Sequence, residues 1–431
     1  MPSSSVMEHI STSHFTLVEY VSMMNANRWK HPGDGLLFLK GRDIMEKHYD
    51  VIIVGAGSMG MAAGYYLSKK GVRTLMIDAF DPPHANGSHS GDTRLIRHAC
   101  GEGFDYVPLA MRAQKLWDDL QKETTETIFR KTGVLTYGPP QSSFVSQAIE
   151  GGRAYDLNIE TLSADEINER WAGISVDDDH VGCYEPDAGV LFSENCIRTF
   201  RRLALENGAE LKVNSLVQEI EVHESSARVS THDASYTSDK LIISGGAWNK
   251  RILDDLSLNL KLTPSRRAIA WFKSDDALYR SDTFPGFFAD LTDSVYYGFP
   301  CIDGAGLKVG RYDNGDDMDP EYMNREFGAY DKDESDLRHF LDAQMKEANG
   351  RLNVGKVCIF TNTPDEHFII DKHPDHPHVA IAAGFSGHGY KFSSVVGEIL
   401  GDLVTEGRTP FDISLFSATR PVLQQQSAEK L

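Results

Sequence analysis

YDVIIVGAGSMGMAAGYYLSKKGVRTLMID, Tyr49 to Asp78, is the stretch from which the architecture can be read. Val51 to Val54 form a short apolar run of the kind that a parallel strand buried on both faces requires. Gly55, Gly57 and Gly60 follow with G-x-G-x-x-G spacing. Gly55 permits a tight turn, Gly57 lets backbone approach a pyrophosphate, and Gly60 lets the next helix pack closely on the strand with its N-terminus toward the phosphates. Gly71 stands where a helix ends on a left-handed residue, and Arg73 to Ile77 make a second strand that ends in Asp78. A carboxylate roughly 20 residues beyond the first glycine accepts hydrogen bonds from a ribose and repels a 2′-phosphate. The stretch therefore predicts a dinucleotide cradle, with FAD or NAD favoured over NADP.

The 431 residues suffice for two domains at about 100 to 200 residues each. Hydrophobic residues at 41% and charged residues at 25% describe a globular chain, and no run approaches the roughly 20 apolar residues of a membrane helix. A formal charge of −20 argues against nucleic acid or an anionic membrane surface as partner, so any anion site must be a local gathering of cations. Cys100, Cys183, Cys196, Cys301 and Cys358 are odd in number, widely spaced and without CxxC pairs. That usage argues against a disulfide framework or a zinc site, predicts no metal, and fits a reducing cytoplasm.

Along the chain, residues 1–44 hold Ser-rich and Asn-rich patches without an uninterrupted apolar region, so they do not read as a secretory signal. Met45 opens MEKHYDVII just before the first core strand, and upstream translation accounts for the extension, with a regulatory arm as the alternative. After Asp78, Pro and Gly punctuation gives way near Asp92 to an N-capped segment. Arg94 and Arg97, three residues apart, would there share one helical face, either solvated or binding an anion. Tyr106 to Lys122 has the apolar spacing of a structural helix, and residues 129–190 shift to short alternating segments such as GVLTYG. GVLFSENCIRTFRRLALENGAELKV returns to strand and helix with Gly208 as stop, and SYTSDKLIISGGAWNKRIL brings a buried strand to Gly245 and Gly246. AIAWF, VYYGFP and GLKVG are strands again. The expected division assigns 45–128, 190–260 and 358–421 to the dinucleotide domain, 129–189 and 261–357 to a sheet-containing substrate domain, and 422–431 to a tail. In the C-terminal third, Cys358 lies in VCIFTNTPDEHFIID, and the loop GFSGHGYKF follows the strand VAIAAG. Gly387 and Gly389 would admit a ligand to backbone N–H groups, and a helix from Phe392 to Val404, opened by Lys391, aims its positive end there. Taken singly, Lys391 also fits a solvated charge and Cys358 a small buried hydrophobe.

Together VIIVGAGSMGMAAGYYL, DAFDPPHANGSHSGDTRLIRHA, GVLFSENCIRTF, YYGFP, TPDEHFIID and AAGFSGHGYKFSS resemble the monomeric sarcosine oxidases and the related N-methyltryptophan oxidases, from Met45 to Pro421. The resemblance implies an α/β flavoprotein, with a Rossmann-type FAD-binding domain beside a sheet-containing substrate domain, in the manner of glutathione reductase and D-amino-acid oxidase. It implies a monomer that oxidises the N-methyl group of a small secondary amino acid with oxygen as acceptor. Carried over to this chain, it makes Cys358 the covalent thioether attachment of FAD, and Arg97 with Lys391 the clamp for the substrate carboxylate. Arg94 and Lys308 fall beside the flavin ring, Lys308 in the oxygen-activating position. Tyr297 and Gly387 line the substrate pocket, and Tyr312 occupies the place of an active-site histidine. Gly55, Gly57, Ser58, Met59, Gly60, Asp78, Ser88, Thr93, Gly389 and again Arg94, Gly387 and Lys391 surround the cofactor. A reduced flavin and a substrate carboxylate are both anionic, so an acidic protein needs such cations gathered locally, and the arginine fork suits a carboxylate.

Four departures from the family pattern sit near the chemistry. Ser90 follows His89 where a second histidine is expected, Tyr312 replaces histidine, Phe360 replaces tyrosine, and Phe288 takes a place often held by methionine. They alter pocket shape and polarity, which leaves open a bulkier or cyclic substrate such as N-methyltryptophan, proline or pipecolate. A flavin dehydrogenase with a non-oxygen acceptor and a non-catalytic FAD-binding paralogue are the readings from other classes.

Overall fold

The computed structural model describes residues 47–424; the expected extension at 1–44 and most of the expected tail at 422–431 lie outside them, but the tail's first residues are packed, with Leu423 buried and Gln424 bridged to Leu260. From the N-terminal side come β1 (Lys47–Val54), α1 (Ser58–Lys69), β2 (Thr74–Ile77), β3 (Thr93–Ile96) and α2 (Tyr106–Gln121). Then follow β4 (Phe129–Lys131), β5 (Val134–Gly138), β6 (Glu160–Ser163), β7 (Val181–Glu185), β8 (Gly189–Phe192) and α3 (Ser193–Glu206). The middle holds β9 (Glu210–Lys212), β10 (Val217–Val222), β11 (Ala227–Thr231), β12 (Ser235–Ile243), β13 (Thr263–Phe272), β14 (Gly286–Leu291), β15 (Ser294–Phe299), β16 (Leu307–Arg311) and β17 (Asp316–Asp317). The chain closes through α4 (Lys332–Gln344), β18 (Leu352–Asn362), β19 (Ile369–Lys372), β20 (Val379–Ala383) and α5 (Ser393–Thr405).

The first sheet has eight strands in the order β10-β11-β12-β1-β2-β9, with β20 beside the second half of β12 and β19 beside β20. β1 lies parallel to both β2 and β12, so Ile52 faces Leu75 on one side and Leu241 on the other. Val51, Ile53 and Met76 pack under α1 and α5, while Ile52, Leu75 and Ile243 pack on the opposite side against Leu253 and Leu260. Coverage of both faces is why VIIV is apolar without alternation. α1 and α5 approach closely through small residues: a Cβ added at Gly397 would lie 2.5 Å from the Ala62 Cβ.

The second sheet has nine strands in the order β17-β13-β16-β15-β14-β5-β7-β6, with β18 paired along β13. Its register divides the side chains cleanly between two faces. Ala270, Phe272, Phe287, Tyr296, Leu307 and Val309 pack against Leu337, Phe340 and Leu341 of α4. On the other face, the pairs Phe288–Tyr297, Phe299–Lys308 and Arg267–Cys358 stand side by side. The boundary expected at residue 358 falls inside β18, whose residues as far as Asn362 remain paired with β13.

The third sheet, β3-β8-β4, corrects one expectation. The segment after Asp92 is a strand and not a helix, paired antiparallel with β8 so that Arg94 meets Leu191. The pairing partner lies almost a hundred residues downstream, beyond the reach of any local spacing rule. Arg94 and Arg97 consequently do not share a face. The C-terminal helix likewise begins at Ser393, after a 3-10 turn at Tyr390–Phe392 that contains Lys391. Among the described residues no helix is long and apolar enough to cross a membrane.

Candidate active site

The glycine turn after β1 is built as its spacing demands. Gly55 has φ +91°, and a Cβ there would lie 2.5 Å from the Ser244 carbonyl oxygen at the end of β12. A Cβ at Gly60 would lie 2.0 Å from the Gly55 carbonyl oxygen, so α1 seats directly on the turn. Over Gly57 the space is open, with His89 Nδ1 at 3.6 Å the nearest atom to an added Cβ. α1 has neither a side-chain cap nor an acidic residue in its first turn, where Ser58 and Met59 sit, so its N-terminus is set up for an anion. Asp78 shapes the same turn by accepting from Ala56 N at 2.8 Å and Phe80 N at 2.9 Å. Burial holds the His89 imidazole neutral, with its pKa pushed down to about 3.

A cation cluster stands between β3 and the second sheet. Arg94 Nη2 donates to Ser88 O at 2.6 Å and to Ser90 O, and lies 3.8 Å from Cys358 Sγ. Lys308 donates to Gly91 O at 2.7 Å, Thr93 O at 2.9 Å and Thr93 Oγ1 at 3.0 Å, which matches the three N–H donors of an ammonium. Burial, and then the charge of Arg94, pull the Lys308 pKa well below the ordinary lysine value. Ser88 Oγ ties this segment to β18 through Ile359 O at 2.7 Å, and Cys358 is only 4% exposed.

The second cluster is a clamp already closed on an acid. Arg97 Nη1 and Nη2 donate to the two oxygens of Glu102 at 2.8 and 2.9 Å, and Lys391 Nζ donates to Oε1 at 2.9 Å. Burial works against the Glu102 charge, but Arg97, Lys391 and His388 hold its pKa well below the usual range. Burial lowers Lys391, with Glu102 opposing, and pushes His388 down to about 4. The guanidinium of Arg97 lies 4.9 and 5.3 Å from the rings of Phe144 and Phe288, which stack on each other at 4.4 Å. Phe288 continues to Tyr312 at 5.9 Å and Tyr312 to Phe360 at 5.8 Å, an aromatic wall. Tyr312 donates to Ser386 O at 2.6 Å. Gly387, at φ +83°, brings its backbone against this wall, where a Cβ would fall 2.4 Å from the Phe360 ring. Burial raises the phenol pKa of Tyr297 and of Tyr312, so both stay protonated.

Residues 50–403 match the family model described as FAD dependent oxidoreductase. Monomeric sarcosine oxidase from Bacillus sp. (strain B-0618) is 53% identical over 383 residues, covering 88% of this chain and 98% of that protein. This chain belongs to the sarcosine oxidase family of FAD-dependent oxidoreductases. Monomeric sarcosine oxidase from Arthrobacter sp. (strain TE1826) is 50% identical over 89% of this chain and 99% of its own length. N-methyl-L-tryptophan oxidase from Yersinia pestis (strain Pestoides F) is 38% identical, covering 86% of this chain and 99% of that protein. Among solved structures, the open form of NikD, an unusual amino acid oxidase essential for nikkomycin biosynthesis, shares the fold at TM-score 0.76 and 22% identity, covering 86% of this chain and 97% of that one. Glycine oxidase from Geobacillus kaustophilus does so at TM-score 0.74 and 20% identity, covering 87% and 99%.

As in any FAD-dependent oxidoreductase, the dinucleotide needs a phosphate turn and a ribose acid. Open space over Gly57, the uncapped start of α1 and the carboxylate of Asp78 fit those two needs. The sequence-derived candidates separate into two groups: Ser88, Thr93, Arg94, Lys308 and Cys358 in one, Arg97 and Lys391 in the other. Tyr297 stands on the sheet face between Phe288 and Gly310, and Tyr312 follows β16 on the same wall.

Glu102 is the residue that sequence reasoning passed over, since GEG reads as turn punctuation in an acid-rich chain. Glu185 is another. Its carboxylate accepts His98 N at 2.9 Å and Ala99 N at 3.1 Å and pairs with His98 Nδ1, fixing the backbone between Arg97 and Glu102.

Proposed function

We propose that this enzyme oxidatively demethylates sarcosine or a related N-methyl amino acid. The substrate, oxygen and water give the demethylated amino acid, formaldehyde and hydrogen peroxide. The observation that supports this most strongly is that Arg97 and Lys391 converge on a single carboxylate, that of Glu102, within an otherwise aromatic enclosure. A substrate carboxylate has the same charge and the same lone-pair fork, so it can take the place of Glu102. Bound FAD supplies the two-electron oxidation of the carbon–nitrogen unit.

The protein's own groups bind and orient. The clamp fixes the carboxylate end of the substrate. Phe288, Tyr312 and Phe360 exclude water around the amine, which must be neutral to react because a protonated nitrogen has no lone pair. Lys308, held by three oxygens, places positive charge where oxygen reduction develops negative charge. Cys358, buried beside Arg94, is the proposed covalent attachment point for FAD. The name of its sarcosine oxidase relatives supports a monomer.

Peroxide and formaldehyde release across a panel of N-methyl and cyclic amino acids tests the reading. Equimolar formaldehyde and peroxide from sarcosine or a close analogue is expected. A flavin that no N-methyl amino acid bleaches without oxygen would overturn it.

A further inference from the structure

Two consecutive arginines on β13 have opposite fates. Arg266 points to the α4 side of the sheet, where Asp333 takes its Nη2 at 2.8 Å and the carbonyls of Asn324 and Glu326 complete its shell. Arg267 points to the site side, opposite Cys358 of β18. It is 7% exposed. Its Nε donates to Tyr312 O at 3.0 Å and its Nη1 to Arg266 O at 3.3 Å. Among the described residues no carboxylate forms an ion pair with it and its Nη2 has no protein acceptor. Glu102 gives the clamp a direct carboxylate partner; Asp317 and Asp313 act on Arg267 only at a distance, without an ion pair.

The surroundings hold this guanidinium in place. It lies 5.1 Å from the ring of Phe360, the last member of the aromatic wall that starts beside Arg97. On its other side is Gly315, where a Cβ would fall 0.7 Å from Nη1, so the guanidinium sits in the space left by that glycine's missing side chain. A buried guanidinium without an acid is costly, and such a cost is retained where a ligand supplies the missing charge.

We propose that Arg267 is a second anion-binding point of the substrate pocket, selecting N-methyl amino acids whose side chain ends in a carboxylate. This rests on the oxidase reading above and narrows its substrate class. Arg97 and Lys391 take the α-carboxylate, Arg267 takes the side-chain carboxylate, and the aromatic wall spans the two. The reaction remains the demethylation already given. Sarcosine, which has no side chain, leaves Arg267 unpaired.

The test is anaerobic stopped-flow reduction of the holoenzyme by N-methylaspartate and N-methylglutamate, by their amide counterparts, and by sarcosine. Wild type should favour an acid over its amide by at least about tenfold in the reduction rate constant divided by Kd. Arg267→Gln should erase that preference, Arg267→Lys should keep part of it, and Gly315→Ala, which fills the recess, should reproduce the loss. A preference that survives in Arg267→Gln overturns the proposal. So does an equal fall for acidic substrates and sarcosine, which would assign Arg267 to the flavin or to the fold. If sarcosine bleaches the wild-type flavin but no acid outperforms its amide, the second anion point fails and the oxidase reading stands. If no N-methyl amino acid bleaches it, both fall.

Discussion

Glu102 and Arg97 form a two-pronged buried ion pair, at 2.8 and 2.9 Å, inside the clamp assigned to the substrate. The protein thus supplies its own carboxylate to a site built for one. If a substrate anion takes the clamp as proposed, it displaces Glu102, and Arg97 and Lys391 face one carboxylate in both states.

That exchange gives opposite expectations for the two partners. Arg97→Ala should weaken a carboxylate inhibitor such as methylthioacetate by roughly 2 to 5 kcal/mol, because a buried charge loses its partner. Glu102→Gln removes the competitor and should tighten the same inhibitor by about tenfold, near 1.4 kcal/mol. Calorimetric titration of both variants decides, and weaker binding in Glu102→Gln would refute the competition.

Lys391 sets an alkaline limit. Its lowered pKa means that it loses its proton below the ordinary lysine value of 10.5, so inhibitor affinity should fall as pH rises toward that value. In Lys391→Met the alkaline fall should vanish. Glu102 moves in the other direction: its depressed pKa gives stability that is complete above 4.5 and lost only as pH drops further. Thermal unfolding from pH 3 to 7 should show wild type losing more stability on acidification than Glu102→Gln.

Cys358 carries the attachment prediction. Acid precipitation of wild type should leave the pellet yellow, and Cys358→Ala should release the flavin to the supernatant. Equal release from both proteins would place the attachment elsewhere or abolish it.

Lys308→Met should separate the two half-reactions. Flavin reduction by substrate should stay within about tenfold of wild type, while reaction of the reduced enzyme with oxygen slows by several powers of ten, since each 1.36 kcal/mol costs about tenfold. Stopped-flow mixing with oxygen at the wild-type rate would show that the lysine only ties β16 to Gly91 and Thr93.

Glu185 acts at one remove, through the backbone it holds. Glu185→Gln should raise Kd for substrate and inhibitor by roughly tenfold, with the limiting reduction rate little changed, because it loosens the Arg97–Glu102 turn and touches no reacting atom. A fall confined to the limiting rate would contradict this positioning role.

The nucleotide half of the molecule was legible in the chain because its signals are local. The run VIIV, three glycines and Asp78 lie within thirty residues, and each acts on backbone only a few bonds away. The cysteine, the lysines and the arginines were legible as a set through the resemblance. Their relations were not. Arg94 and Arg97 read as neighbours on a helix, yet β8, supplied from residues 189–192, makes that segment a strand and sends the two guanidiniums apart. Glu102 carried no local mark, and only the return of Lys391 from the far end of the chain turns it into the centre of a clamp. Arg266 and Arg267 are one residue apart and chemically identical. The pleat of β13 sends them to opposite faces, and what covers each face decides their partners: Asp333 for the first, the site for the second.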